Sequence, residues 1–128
     1  MFKKSHRIMK ITHLLLSIAL CSLVSCNSDE SKKQKLNGRW ELKYAELNGQ
    51  PAPSLDRIHF DFNNGNLTTN FNEATTDETT SFDVKEEKLI KNSQPKIEFN
   101  IETQTDSSLE MTTEMRGFDF KLVLVRNN

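Results

Sequence analysis

Residues 57–71, RIHFDFNNGNLTTNF, constrain the fold of this chain more than any other stretch, because two alternating segments flank an Asn-Gly pair. Asn64 and Gly65 suit the two positive-φ positions of a type I′ turn, which fixes the pairing of the two strands. The pairs are Phe62 with Leu67, Phe60 with Thr69 and Ile58 with Phe71 on one face, and Asn63 with Asn66, Asp61 with Thr68 and His59 with Asn70 on the other. One apolar and one polar face predict a hairpin that covers a core.

The end of the chain, residues 108–126, repeats this pattern around a turn near Arg116 and Gly117. A two-residue turn pairs Glu114 with Asp119 on the wet face, and a longer turn is an alternative. The residues predicted to point inward are Leu109, Met111, Thr113 and Met115 on one strand and Phe118, Phe120, Leu122 and Leu124 on the other.

Four more segments read as short strands: residues 38–47, 79–84, 88–91 and 96–103. Their inward candidates are Trp40, Leu42, Phe82, Val84, Leu89, Ile97, Phe99 and Ile101. Seven of the eight phenylalanines, residues 60, 62, 71, 82, 99, 118 and 120, take inward positions. With the four strands of the two hairpins, these segments make eight evenly spaced strands. The chain lacks convincing helical periodicity, so this pattern predicts an all-β meander. A sheet with one apolar face must close, either as an antiparallel barrel or as a two-sheet sandwich.

Gly38-Arg39-Trp40 resembles the Gly-x-Trp signature on the first strand of lipocalins and lipocalin-like bacterial domains. Arg126, at the end of the last strand, resembles the arginine that packs across that tryptophan. In an eight-stranded antiparallel barrel the last strand runs opposite to the first, so Arg126 and Trp40 are expected to meet in a cation-π contact. The resemblance implies a small eight-stranded up-and-down barrel. Residues 38–53 are also similar to the opening of META-type domains, another bacterial β fold.

The N-terminus predicts export. Lys3, Lys4, Arg7 and Lys10 precede an 11-residue apolar run at 14–24, which is too short to span a membrane and has the length of a signal-peptide core. Residues 23–26, Leu-Val-Ser-Cys, resemble the lipobox of bacterial lipoproteins, which implies lipidation of Cys26. The alternative is an ordinary secretory signal with an incidental cysteine. The expected organisation is a signal peptide at 1–25, a lipidated Cys26 with a flexible tether to residue 35, and a barrel domain at 36–128.

A lipid anchor on Cys26 predicts a protein of the bacterial outer membrane, on its periplasmic or its surface-exposed side. Residues 27–35, NSDESKKQK, contain no apolar side chain and are expected to remain flexible. Asp29 and Glu30 look like an acidic surface-export signal, or simply belong to a soluble linker. Without the signal peptide the chain has 13 Lys and Arg against 18 Asp and Glu, a formal charge of -5, which makes nucleic acid an improbable partner.

Nothing in the sequence favours catalysis, a metal or a cofactor. Beyond the signal peptide the chain has one histidine, His59, two residues from Asp61, and these two are interpreted as solvated surface residues rather than a dyad or metal site. The acids Asp77, Glu78, Glu86 and Glu87 are assigned to loops and lack the spacing of an EF-hand. With Cys21 in the signal peptide and Cys26 acylated, no disulfide is expected.

Two functions of different class follow. The resemblance implies a barrel that binds a small apolar or amphipathic molecule in the cell envelope. The candidate ligand-facing residues are Phe60, Phe62, Thr69, Phe99, Met111, Thr113 and Phe120. The alternative is a filled barrel whose loops at 47–54 and 72–80 contact an envelope protein, as an inhibitor or assembly module. An eight-stranded interior can be filled by side chains or admit one small ligand, so the sequence leaves both hypotheses open.

Overall fold

A computed structural model of the protein describes residues 27–71 and 76–127. The predicted signal peptide at 1–25 and the predicted lipidation site at Cys26 lie outside the described residues, as does part of the predicted loop at 72–80. The elements are α1 (Asn27–Lys35), β1 (Gly38–Leu47), β2 (Gln50–Pro51), a 3-10 turn (Pro53–Leu55), β3 (His59–Asn63), β4 (Asn66–Thr69), β5 (Glu78–Lys85), β6 (Lys88–Lys91), β7 (Ile97–Gln104), β8 (Ser108–Met115) and β9 (Phe118–Arg126).

The strands form one closed antiparallel barrel. Strands β1 and β3 to β9 pair in chain order, and β9 returns to pair with β1, from Trp40 opposite Arg126 to Leu47 opposite Phe120. The two-residue strand β2 only extends the end of β1 and is not part of the ring. The predicted eight-stranded barrel is therefore confirmed, and the two-sheet sandwich is not the solution that this chain adopts.

The first predicted hairpin is confirmed in its turn and register. Asn64 and Gly65 have φ values of 47° and 88°, as a type I′ turn requires. The ladder contains the predicted pairs Phe60 with Thr69, Asp61 with Thr68, Phe62 with Leu67 and Asn63 with Asn66. Beyond Thr69 the ladder ends, and the side chain of Asn70 accepts a hydrogen bond from the backbone N–H of His59 at 3.0 Å.

The second hairpin has the two-residue turn. Arg116 and Gly117 have φ values of 55° and 80°, and Met115 pairs with Phe118 directly beside them. Glu114 lies opposite Asp119 as expected. The whole ladder from Ser108 to Met115 therefore follows the predicted register.

The core lies inside the ring and consists of the predicted inward residues. Trp40, Phe60, Phe62, Phe71, Phe82, Val84, Leu89, Ile97, Phe99, Ile101, Leu109, Met111, Leu122 and Leu124 are all buried. Leu42, Met115 and Phe120 are partly buried and pack against them. The inward assignment of Phe118 is wrong, because its side chain is 47% exposed. Phe118 has the inward parity, but it is the first residue of β9 beside the turn, where no further layer covers it.

The barrel has two different ends. We call the end where β1, β4, β6 and β8 finish the mouth, and the opposite end, which begins at Gly38, the closed end. Helix α1 lies across the closed end: the Asp29 carboxylate accepts a hydrogen bond from the backbone N–H of Glu86, and the Gln104 side chain donates to the backbone carbonyl of Lys32. Leu36, directly after the helix, is fully buried.

The prediction of a flexible tether is thus wrong for Asn27–Lys35, which form helix α1. The helix lacks an apolar face, so the pattern that normally marks a helix is missing. It is held by polar contacts that only the folded barrel supplies: Lys32 forms an ion pair with Glu87 at 3.1 Å, and the Lys33 ammonium lies 5.2 Å from the centre of the Phe82 ring. The acids in its first turn and the lysines in its last also complement the helix dipole.

Candidate functional site

Aromatic side chains fill the barrel from the closed end to its middle. Phe62 contacts Phe82 at 5.0 Å between ring centres, Phe60 contacts Phe99 at 5.6 Å, and the chain of rings continues through Phe71. Four of the candidate ligand-facing residues, Phe60, Phe62, Phe99 and Met111, are between 0% and 1% exposed and belong to this packed interior. A ligand that reaches the barrel therefore meets the mouth first and finds the deeper layers occupied.

The two inward threonines lie nearer the mouth and are buried. The Thr69 hydroxyl donates to the backbone carbonyl of His59 at 2.6 Å, and the Thr113 hydroxyl donates to that of Glu98 at 2.7 Å. Both donors are used within the barrel wall, so only the oxygen lone pairs of these hydroxyls remain to accept a hydrogen bond.

A lysine points into the barrel in its upper half. Lys91 shares the inward parity of Leu89 on β6, and its backbone lies opposite Phe82 on β5 and Ile97 on β7. Its side chain is fully buried, and its ammonium contacts the carboxylate of Glu78 at 2.6 Å. Glu78 is the first residue of β5 and its side chain is 45% exposed. The lysine therefore runs upward inside the barrel and meets its counter-charge at the mouth.

Thr80 lies on the same face of β5 as Glu78, between Glu78 and the residue that pairs with Lys91. Its hydroxyl oxygen is buried and has no hydrogen-bond partner within the described part of the chain. An unpaired buried hydroxyl costs about 1–3 kcal/mol, so such a group is uncommon in a packed interior. We call Glu78, Thr80 and Lys91 the mouth site.

Sequence reasoning did not identify the mouth site. The assignment of Glu78 to a loop is wrong, because β5 begins there, one residue earlier than predicted. The parity that placed Leu89 inward also places Lys91 inward, and the parity of Phe82 extends to Thr80 and Glu78. This signal was present in the alternation, but a charged residue at an inward position is normally read as the end of a strand.

Apolar side chains border the mouth on the opposite wall. Phe120 pairs with Thr113 and contacts Phe71 at 5.4 Å between ring centres, while Met115 pairs with the exposed Phe118. We call Met115, Phe118 and Phe120 the apolar rim. The mouth thus combines a buried positive charge on one side with accessible aromatic surface on the other.

The closed end carries the three residues of the first-strand signature. The Arg126 guanidinium lies 4.3 Å from the centre of the Trp40 ring, and the indole N–H donates to the Leu36 carbonyl at 2.8 Å. Arg126 also donates to the backbone carbonyls of Lys35, Asn37 and Asp106. Gly38 has φ +122°, and a Cβ there would lie 2.6 Å from the guanidinium. This set fixes structure and closes the barrel rather than leaving a site open.

His59 does not contact Asp61. Its Nε2 lies 3.1 Å from the carboxylate of Asp77, on the outside of the barrel, with the imidazole 14% exposed. Within residues 27–71 and 76–127, no three His, Cys, Asp or Glu side chains are grouped so that they could hold a metal ion. In the same part of the chain, no helix has the length and apolar character needed to cross a membrane.

The outer wall has two notable depressions. One of about 370 Å³ is mainly apolar and is lined by Leu42, Tyr44, Ala45, Pro51 and Pro53 beside strand β2. Another of about 410 Å³ is lined mostly by outward polar residues, among them Glu46, Thr112 and Lys121. The second depression also reaches Thr113 and Phe120, two of the candidate ligand-facing residues.

Three ionisable groups on the outer wall have shifted pKa values. A hydrogen bond to Glu46 raises the pKa of Tyr44, and a hydrogen bond to Glu110 raises the pKa of Lys121. The Asn92 amide donates to Asp83 at 3.1 Å and lowers the pKa of that carboxyl group. These shifts come from surface pairs and mark no catalytic group.

Comparisons with known proteins agree with this architecture. No family model matches the chain, and no curated protein matches its sequence. Among solved structures, a lipocalin-like protein from Bacteroides uniformis is similar, with a TM-score of 0.53 and 17% identity over 73% of this chain and 99% of that one. An uncharacterized protein from Bacteroides eggerthii is similar with a TM-score of 0.50 and 16% identity, over 71% of this chain and 98% of that one. The barrel is thus lipocalin-like in fold.

Proposed function

We propose that this protein is an envelope lipoprotein, anchored through Cys26, whose lipocalin-like barrel binds a small apolar or amphipathic molecule at its mouth. The observation that carries the proposal is Lys91, a fully buried lysine inside a barrel whose interior is mostly apolar. Burying a charge is costly, and a packed core of apolar residues would be at least as stable. A lysine at this position is therefore better explained by binding than by folding.

The filled interior limits how deep the ligand can go. The ring contacts between Phe60, Phe71 and Phe99 fill the barrel interior, so the exposed groups at its end are Glu78 of the mouth site and part of the apolar rim. Of the candidate ligand-facing residues, Thr69, Thr113 and Phe120 lie in this upper region. The proposed site is thus a shallow cup for a small molecule.

Two variants on neighbouring positions of β8 test ligand binding. The bulk of Met115→Trp is introduced at the apolar rim, whereas that of Glu114→Trp is introduced on the exposed outer face. Native mass spectra of protein extracted in mild detergent are expected to show a co-purified small molecule on the wild type and on Glu114→Trp, and less or none on Met115→Trp. A wild-type spectrum that contains only the mass of the lipoprotein would contradict ligand binding.

Anchoring has a separate test. Cys26→Ala is expected to release the protein from membrane fractions, while Cys21→Ala, within the predicted signal peptide, is the matched control and should stay bound. A Cys26→Ala variant that remains fully membrane-bound would refute lipidation as the anchor.

The second candidate function is a protein-interaction module with a filled barrel. The apolar depression beside β2 favours it. Tyr44 is 41% exposed there. Pro51 and Pro53, which line the same depression, belong to the loop at 47–54 that is expected to contact a partner. A photo-crosslinking residue at position 44 should then give one discrete protein adduct in intact cells, and the same residue at exposed position 114 should not. Absence of any adduct at position 44 would remove this candidate.

A further inference from the structure

We infer that the ligand of the mouth is an amphipathic carboxylate, and that Glu78 occupies the carboxylate subsite in the free protein. This inference rests on the proposed ligand binding and specifies its chemistry. Lys91 supplies the charge, Thr80 supplies a hydroxyl, and the apolar rim receives the hydrocarbon part. These roles follow from contacts at the mouth site.

Lys91 has hydrogen-bond donors that Glu78 does not use. A lysine ammonium has three N–H donors, and among the described residues the Lys91 ammonium hydrogen-bonds only to Glu78. The residue is fully buried, so its remaining donors are shielded from bulk water. An oxyanion that enters the mouth would find a positive charge with free donor capacity.

The Glu78 carboxylate is the acceptor that Lys91 already binds. The Glu78 carboxylate stands 2.6 Å from the ammonium, which shows that a carboxylate fits against Lys91 with good geometry. Unlike the lysine, Glu78 sits at the edge of the barrel with almost half of its side chain exposed. It can therefore rotate into water when a second carboxylate takes its place, at little cost in burial.

Thr80 supplies the unpaired hydroxyl of the mouth site. Its buried hydroxyl lies between Phe82, which is opposite Lys91, and Glu78, which binds the Lys91 ammonium. A bound carboxylate has two oxygens, so it can accept from the ammonium and from the Thr80 hydroxyl together, which would satisfy the unpaired group.

The hydrocarbon part of the ligand is directed outward. Phe82 lies opposite Lys91, and Phe60 and Phe99 fill the barrel below it, whereas towards the mouth Phe120 is partly buried and Phe118 is exposed. A carboxylate that reaches Lys91 therefore leaves its chain along the apolar rim. This arrangement selects a single-chain amphiphile with one negative charge and does not select a neutral alcohol of the same length.

Titration of the full chain in lipid nanodiscs with octanoate and with octanol tests the inference, with empty nanodiscs as the blank. A charge-assisted hydrogen bond predicts that octanoate binds at least about 10-fold more tightly than octanol. Lys91→Met should remove this preference. Lys88→Met is the matched control, because Lys88 lies on the same strand but points outward and pairs with Glu98 at 3.7 Å.

Glu78→Gln keeps the inference falsifiable if Lys91→Met fails to fold. Removing the internal competitor should strengthen octanoate binding by about 3-fold to 10-fold and leave octanol binding unchanged. An unfolded protein cannot produce such a gain. The outward control Glu98→Gln should change neither affinity, and Thr80→Val should weaken octanoate binding by a few-fold, about the effect of one hydrogen bond.

The outcomes separate the two proposals. Equal binding of octanoate and octanol, unaffected by Lys91→Met, would overturn the carboxylate inference and leave ligand binding at the mouth intact. Weaker octanoate binding by Glu78→Gln would also overturn it, because Glu78 would then assist the ligand rather than compete with it. Failure of the wild type to bind either probe, together with a native mass spectrum free of small molecules, would overturn the proposed function itself.

Discussion

Replacing Arg126 with methionine is expected to destabilise the barrel by about 2–4 kcal/mol. The side chain donates to three backbone carbonyls: Lys35 at the end of α1, Asn37 between α1 and β1, and Asp106 in the β7–β8 turn. Each partly solvated bond contributes about 0.5–1 kcal/mol, and the cation-π contact with Trp40 contributes a similar amount. Methionine keeps most of the apolar stem, so the loss reports the guanidinium itself.

Urea unfolding measured by tryptophan fluorescence checks this prediction, because Trp40 is the single tryptophan of the chain and lies directly under the guanidinium. A loss of this size lowers the midpoint of unfolding by roughly 2 M for a domain of this length. Arg39→Met is the matched control, since Arg39 forms an exposed pair with Glu41 and should cost less than about 0.5 kcal/mol.

The reasoning would be refuted by equal losses in the two arginine variants, or by a loss below about 1 kcal/mol in Arg126→Met. Circular dichroism recorded in the same samples distinguishes a change in the whole barrel from a local change around the tryptophan. Both signals should move together, because β9 closes the ring against β1.

Three further perturbations test other parts of the structure. Gly38→Ala should cost about 1–3 kcal/mol in the same urea assay, because the new Cβ would lie 2.6 Å from a guanidinium nitrogen at φ +122°, and a neutral effect would contradict this. Phe60→Ala should cost about 3–5 kcal/mol and Phe118→Ala less than about 1 kcal/mol, so equal melting temperatures would contradict their assigned positions. Asn92 lowers the pKa of Asp83 below its ordinary value of 3.8, so this carboxylate stabilises the fold above that pH and the stabilisation is lost as pH falls through the lowered pKa. Asp83→Asn should therefore flatten the loss of stability between about pH 5 and about pH 2.5, and an unchanged slope would count against this.

The strand pattern was predictable because two local rules agree with the global fold. Alternation assigns each residue to a face, and the Asn64-Gly65 pair fixes the register of the first hairpin. The approach of Arg126 to Trp40 was expected instead from the resemblance to lipocalins and from closure of an antiparallel barrel, whereas these two rules located the core residues on both hairpins. They did not place Phe118, because parity gives the face of a residue but not its depth in the barrel.

Helix α1 and the mouth site were not predictable in the same way. The helix has no apolar stripe, and its contacts with Glu87 and Phe82 exist only when β5 and β6 are folded. The mouth site depends on Lys91 reaching Glu78 on the neighbouring strand, a contact between a residue that was not among the inward candidates and one that sequence reasoning assigned to a loop. Both features use polar groups at positions that burial rules leave to apolar ones, which is expected where function competes with stability.

Helix α1 also bears on how the proposed anchor would orient the barrel. A flexible segment of nine residues spans roughly 17 Å on average and would let the domain tumble freely. The helix instead lies across the closed end, held at its start by Asp29 against the Glu86 backbone and at its finish by the Lys35 carbonyl against Arg126. If Cys26 is lipidated as proposed, the anchor would lie next to Asn27 in the chain, so the closed end would face the bilayer and the mouth would face away. A ligand would then arrive through the aqueous compartment, which would favour a short, monomerically soluble carboxylate over a phospholipid drawn from the protein's own membrane.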